Sequence, residues 1–433
     1  MKLNYSRDYC NKLLYNLCFI VISIIFISYF IISLSKVPGG SWAYNELFIN
    51  YSSGIIRRGF LGSFFLKLNE NYGIQPLSFF SPIFIILYSA QIYIYFNLLK
   101  RFQNVHLLYL LIIFSPALIL FTVYDQTAYL VKDIFTNLSI LLHSFYLIRR
   151  KNNFDAKSYN NFIIFLLIPF LFINILNHEN QFFFISVHFL LSKYIYSKQN
   201  TEKKDRKYIY YLLTFIPFVL ILLNPGDWEK LEIINNSISQ FGVKINDQLA
   251  GNINLAIGGF LKWHFLYHGI SSFINLFACL ILTLILFFTI FHYLIKENVF
   301  ILNKSLKNNY FIYFLPAFLL FIFALDHGRN INLILTHLIS FYLVLNVNES
   351  KLNRYYGRVV NNFILKNFIF VLLFFYIFLW YLPQGGGYSG IGQFSDSSSI
   401  IKNSLFHELT RIFMIVFNFI DSNLIDLPKI VVK

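Results

Sequence analysis

Two adjacent guanidiniums are the first chemical feature of this chain. Arg57 and Arg58 stand in the stretch YSSGIIRRGFLG, residues 51–62, flanked by Gly54, Gly59 and Gly62. Arginines are permanently charged donors, and glycine lets backbone approach a ligand closely. A phosphate or pyrophosphate held by bidentate, charge-assisted hydrogen bonds is the ligand class that fits. The structural alternative pairs one or both arginines with Asp125, Asp326 or lipid headgroups. A short turn at 177–180 carries His178 and Glu179. Histidine exchanges protons near neutral pH, and a partly desolvated glutamate can be raised into that range, so either is a candidate general base for a sugar hydroxyl. The bland reading is that a short turn needs something polar. A second turn reads Asp326-His327-Gly328-Arg329. Here Arg329 joins the anion site and Asp326 orients it or a hydroxyl, or the two, three residues apart, pair locally and cap a helix end. Asp125 and Asp133 are substrate contacts or partners in structural pairs, with Lys132 neutralising its acidic neighbour.

The elements that must position these groups are set by composition. Of 433 residues, 57% are apolar and 13% charged, a balance that belongs in a bilayer. Stretches such as 17–34, 78–99 and 271–295 reach or approach the roughly 20 residues needed to cross about 30 Å of hydrocarbon. The predicted fold class is therefore all-α: a polytopic integral membrane protein, one domain over 1–433, with about eleven transmembrane helices. These are 17–35, 77–99, 106–124, 129–148, 161–176, 181–192, 209–223, 271–295, 310–325, 331–347 and 367–381. Lys2, Arg7 and Lys12 precede the first apolar run, which reads as an uncleaved helix because it is long and lacks a small-residue cleavage pattern.

The net charge of +15 is distributed by topology. With the N-terminus inside, the cytoplasmic pieces 1–16, 100–105, 149–160, 193–208, 296–309 and 349–366 hold 3, 2, 4, 6, 3 and 4 basic residues, 22 of the 35. Those pieces total +16 and the remainder −1. That asymmetry is the positive-inside pattern, and it accounts for the basic charge without a nucleic-acid partner. It leaves 36–76, 224–270 and the segment 382–433 exoplasmic, where 405–420 reads as an interfacial amphipathic helix or a twelfth span. The 224–270 loop carries Asp227, Trp228, Glu229, Glu232, Trp263, His264 and His268, suited to a sugar ring or to anchoring at the bilayer interface. The three cysteines offer neither a disulfide framework nor metal-ligand spacing. With no P-loop, no GxGxxG after a strand and no HExxH, no cofactor or metal is expected.

The GIIRRGFLG loop, the His-Glu and Asp-His-Gly-Arg turns and the many spans resemble the membrane proteins of bacterial surface-polysaccharide assembly. These are the Wzy-type O-antigen and capsule repeat-unit polymerases and the lipid-carrier-dependent GT-C glycosyltransferases. The polymerase resemblance implies an inner-membrane enzyme with a cytoplasmic N-terminus, acting with other polysaccharide-assembly proteins. It would move a growing glycan from undecaprenyl pyrophosphate onto the terminal sugar of another lipid-linked repeat. Arg57, Arg58 and Arg329 would hold the pyrophosphate, with Asp125 as a further substrate contact. His178 or Glu179 would serve as the base, with Asp326 beside them. The GT-C resemblance implies an acidic residue in or near the first exoplasmic loop, a place Glu46 fills, with Asp125 or Glu179 as substitutes. A third function class, a transporter or flippase of lipid-linked glycans, would need charges spread across membrane depth.

Overall fold

A computed structural model describes residues 13–28, 42–100, 106–124, 130–150, 153–198, 207–224, 226–245, 280–302, 304–323 and 327–348, with isolated positions beyond. The described chain is mostly helical. In order it forms α1 (Leu13–Ser28), α2 (Trp42–Glu46), α3 (Phe60–Tyr72), α4 (Pro76–Leu99), α5 (His106–Ile113), α6 (Phe121–Tyr124), α7 (Asp133–Arg149), α8 (Ala156–Phe162) and α9 (Ile168–Asn177). It continues through α10 (Ile185–Lys198), α11 (Phe215–Leu223), α12 (Trp228–Ile238), α13 (Leu286–Lys296), α14 (Lys304–Asn309), α15 (Leu315–Phe318), α16 (Leu320–Phe323) and α17 (His327–Val344).

Local chemistry explains the long elements. Pro76 opens α4 at a position where a missing N–H costs nothing, and the helix is apolar on its buried and exposed sides alike. Asp155 caps α8, its carboxylate accepting from the Lys157 and Ser158 amides. A π turn at Ile163–Leu167 joins α8 to α9, and Pro169, which cannot donate to the ladder, follows it directly. The outer face of this joint presents Phe165 and Leu166. At α7, Asp133 in the first turn and Arg149 in the last complement the helix dipole.

Among the described residues two helices are long and apolar enough to cross a membrane, Pro76–Leu99 and Ala156–Asn177. The count rises to three if the pair Ile209–Leu223 and Trp228–Phe241, bent by 101°, is one span. This differs from the eleven expected, and the reasons are physical. The stretch 106–124 divides into α5 and α6, and 310–325 into a 3-10 turn followed by α15 and α16. The stretches 181–192 and 209–223 begin as 3-10 turns. α7 and α17 are regular but carry buried polar residues: Asn137, Ser139, His143 and Ser144 on one, Arg329, Asn330, Asn332 and His337 on the other. Apolar runs counted from sequence thus include helices whose polar faces are turned inward. The expected span 367–381 and the start of 271–295 lie outside the described residues, as does the segment 382–433.

α7 is central, packing against α4, α17, α9 and α10. The expected exoplasmic loops meet each other: Phe241, after α12, packs at a tilt against Phe48 and Phe65, and Asn50 Nδ2 donates to Ser237 Oγ at 3.0 Å. A two-residue antiparallel bridge pairs Phe300 with Val347 and Ile301 with Asn346. It ties together two segments that adjoin loops the charge pattern assigns to one side.

Candidate functional site

The arginine loop is built by close backbone packing. The Ser63 hydroxyl donates to Gly59 O and accepts from the Tyr51 amide, both at 2.7 Å. The Leu61 amide donates to Asn177 Oδ1 at 3.0 Å, fastening the loop to the His-Glu turn. A Cβ on Gly62 would run into the carbonyl oxygens of Ile49 and Leu47, and one on Gly59 into the Tyr51 ring. These two glycines were expected to open backbone to a ligand; instead the chain's own 47–51 segment occupies the space. Arg58 has φ +65°, a left-handed conformation that is uncommon outside glycine and asparagine. Sparsely populated backbone of this kind persists where surroundings over-determine it.

What determines Arg58 is an ion network. Its guanidinium straddles the Glu179 carboxylate, Nη2 to Oε1 at 2.8 Å and Nε to Oε2 at 3.1 Å. Its Nη1 lies 3.2 Å from Glu46 Oε1, an ion pair without hydrogen-bond alignment. Arg57 Nη1 donates to the same Glu179 Oε1 at 3.3 Å. Lys132, fully buried, donates from Nζ to Arg58 O at 2.7 Å and Glu46 O at 3.0 Å. Across the site, Arg329 at the start of α17 grips Asp133 at the start of α7, Nε to Oδ2 at 2.6 Å and Nη2 to Oδ1 at 3.1 Å. Arg329 Nη2 also lies 2.9 Å from His178 Nε2, which is 3.6 Å from Asp133 Oδ1.

Electrostatics follows from this geometry. Burial opposes ionisation of Glu179, but Arg58 and Arg57 outweigh it and hold its carboxyl well below the usual carboxylate range. That reverses the upward shift expected from a partly desolvated turn, because the two guanidiniums outweigh desolvation. Burial, reinforced by Arg58 and Arg329, holds His178 well below its ordinary value despite Glu179 nearby. The Asn180 amide donates to Nδ1 at 3.2 Å while a guanidinium approaches Nε2, so donors surround the ring and disfavour imidazolium. Burial and the Arg58 charge bring Arg57 down to about 10. Burial opposes the charge of Arg58 too, but Glu179 and Glu46 overcome it and raise that group.

Arg57, Arg58, His178, Glu179 and Arg329 therefore converge from far-apart positions. Asp125 and Asp326 lie outside the described residues, as do Trp263, His264 and His268. Arg329 finds its carboxylate partner on another helix, at Asp133, in addition to any local neighbour. Lys132 bonds to backbone carbonyls, where neutralisation of Asp133 was expected. No sequence signal marks that role, since carbonyl oxygens carry no residue code. Beside the Asp133–Arg329 pair is a cavity of about 20 Å³ lined by Tyr88, Gln91, Asn137 and Asn332, with room for a water molecule. Among the described residues, no group of three His, Cys, Asp or Glu side chains could hold a metal ion. Compared with protein-family models, curated proteins and solved structures, the chain has no match.

Proposed function

We propose that this chain is a membrane enzyme that polymerises lipid-linked oligosaccharide repeats of an O-antigen or capsule on the exoplasmic face of a bacterial inner membrane. The observation that supports it is the convergence of cations in one cluster: among the described residues Arg57, Arg58, Lys132 and Arg329 gather around Glu46, Asp133 and Glu179. The Arg57 side chain, 15% exposed, stands at the accessible end of the cluster. In the reaction, the bond from the anomeric carbon to the carrier's phosphate oxygen breaks as the acceptor oxygen bonds to that carbon. The acceptor's proton passes to a base of the cluster, and pyrophosphate leaves toward Arg57 and its neighbours. Donors placed where charge develops are the largest lever such a site has, one donor typically being worth about 10² to 10³ in rate. His178 and Glu179 are the two candidates for that base, and both are held unprotonated. Glu179, held ionised, orients the arginines.

A second reading is GT-C-type transfer from a polyprenyl-phosphate sugar. Glu46 favours it: this first-loop carboxylate is buried, and its Oε2 has no hydrogen-bond partner among the described residues. The lipid-linked glycan that accumulates in a deletion strain tests both. Complete single repeats support polymerisation, and incomplete ones support transfer. Normal long-chain polysaccharide overturns both.

A further inference from the structure

A second polar system runs through the helices away from the ion network. The Tyr211 hydroxyl, in the turn Lys207–Thr214, lies 2.9 Å from Ser192 Oγ on α10, and Ser192 Oγ lies 2.8 Å from the Tyr159 hydroxyl on α8. Tyr159 in turn is 2.8 Å from His143 Nε2 on α7. His143 Nδ1 meets His188 Nδ1 at 3.1 Å, with the two rings within 7° of parallel. His188 Nε2 is 3.2 Å from Ser139 Oγ, whose single proton is shared between Thr136 O at 2.7 Å and Gln181 Oε1 at 3.1 Å. None of these groups is more than 3% exposed.

Polar side chains between membrane helices often serve as packing glue. Two features set this chain apart. Side chain to side chain hydrogen bonds are only about 10–15% of those in folded proteins, yet here six follow one another without a break. Every internal member, hydroxyl or imidazole, can also donate and accept at once. All donors can therefore point one way once the Ser139 hydroxyl turns from Thr136 O: Tyr211 to Ser192 to Tyr159 to His143 Nε2, His143 Nδ1–H to His188 Nδ1, His188 Nε2–H to Ser139, and Ser139 to Gln181. Ionisable groups buried at membrane depth are the usual material of proton pathways.

We propose that this chain is a proton relay between the Lys207–Thr214 turn and the turn that carries Glu179. A proton arriving on the Tyr211 oxygen displaces one from each group to the next. His143 then holds its proton on Nε2 and His188 on Nδ1, and Ser139 gives one proton up. Charge is conserved, and neither imidazole rests as a cation. An amide oxygen does not keep a proton, so the transfer at Ser139 is to a water or hydroxyl that takes the place of the Gln181 amide. Tyr146 and Tyr196 face Tyr159 electrostatically. From α17, His337 faces His188 with ring centres 6.0 Å apart, its Nδ1 donating to Leu333 O at 2.8 Å. The relay is independent of glycan transfer, and its test uses no glycan.

The purified full-length protein is placed in phospholipid vesicles with an entrapped pH-sensitive dye, and a potassium diffusion potential set by valinomycin drives protons. Wild-type vesicles change internal pH faster than protein-free ones. His188→Gln, which keeps a hydrogen-bonding amide but cannot pass a proton on, and Tyr159→Phe, which keeps the ring, both return to the protein-free rate. His292→Gln, outside the chain, conducts as wild type. A wild-type rate equal to that of empty vesicles overturns the proposal, as does undiminished flux in Tyr159→Phe. If His188→Gln is not monodisperse in detergent, Tyr159→Phe alone decides.

Discussion

Arg329 and Asp133, 196 positions apart in sequence, form a two-point salt bridge between the first turns of two packed helices, with the arginine side chain 2% exposed. Removing one partner strands a buried charge, which costs about 3–5 kcal/mol, whereas replacing both with apolar residues of similar size is often neutral. Asp133→Leu and Arg329→Met should each lower the unfolding midpoint strongly in detergent. The double variant should recover most of the loss. Additive losses would mean that the two side chains do not depend on each other.

Arg58 offers a way to separate backbone strain from side-chain charge. Arg58→Ala and Arg58→Gly lose the same ion pairs with Glu179 and Glu46. Only alanine keeps the penalty of φ +65°, roughly 1–2 kcal/mol. Glycine also loosens the unfolded chain, which offsets about 0.4–1 kcal/mol of that gain. Denaturant or thermal unfolding should still rank Arg58→Gly above Arg58→Ala. The reverse order would show that the turn relaxes once the guanidinium is gone.

How much of this was legible in the sequence differs from residue to residue. Arg57, Arg58, His178, Glu179 and Arg329 could be singled out because charge is rare in an apolar chain, and charge counting sent them toward one side. Their partners could not be read: that Glu179 lies between two guanidiniums depends on how α3 and α9 pack, which no local pattern encodes. His143, His188 and Ser139 went unnoticed for a related reason. Each lies inside an apolar run and lowers its hydropathy only slightly, while their linkage is made across helices. The expected span count was too high for a further reason, because 3-10 turns such as Lys207–Thr214 and Tyr310–Phe314 interrupt runs that composition alone reads as continuous.

Gly62 is a packing glycine, in contrast to Gly54. An added methyl at Gly62 meets backbone carbonyls that cannot rotate away, with Leu47 O at 2.8 Å, and overpacking of this kind typically costs about 1–3 kcal/mol. Gly54 has φ +99° but open space around it, so Gly54→Ala carries conformational strain alone. Gly62→Ala should therefore disturb the arginine loop itself. Limited proteolysis of 47–62 in detergent is the readout: faster cleavage in Gly62→Ala than in wild type is expected, and equal rates would show that the loop absorbs the methyl.

Acid should destabilise the protein in two stages, and the sign follows from His178 and Glu179. Both have folded-state pKa values below their ordinary ones. In each case the unfolded chain binds the proton first, so stability is lost as pH falls. For His178 the loss begins below the ordinary histidine value of about 6.5, and for Glu179 below about 4.3. Both continue down to the depressed folded values. Unfolding midpoints measured from pH 8 to pH 2 should therefore decline first through the histidine range. His178→Asn should make that upper stage shallower, since the buried His143, His188 and His337 share it, and leave the lower one, which Glu179→Gln reduces. A wild-type midpoint constant between pH 7 and pH 5 would mean that His178 accepts a proton in the folded protein, and its place between Asp133 and Arg329 would have to differ from the one described.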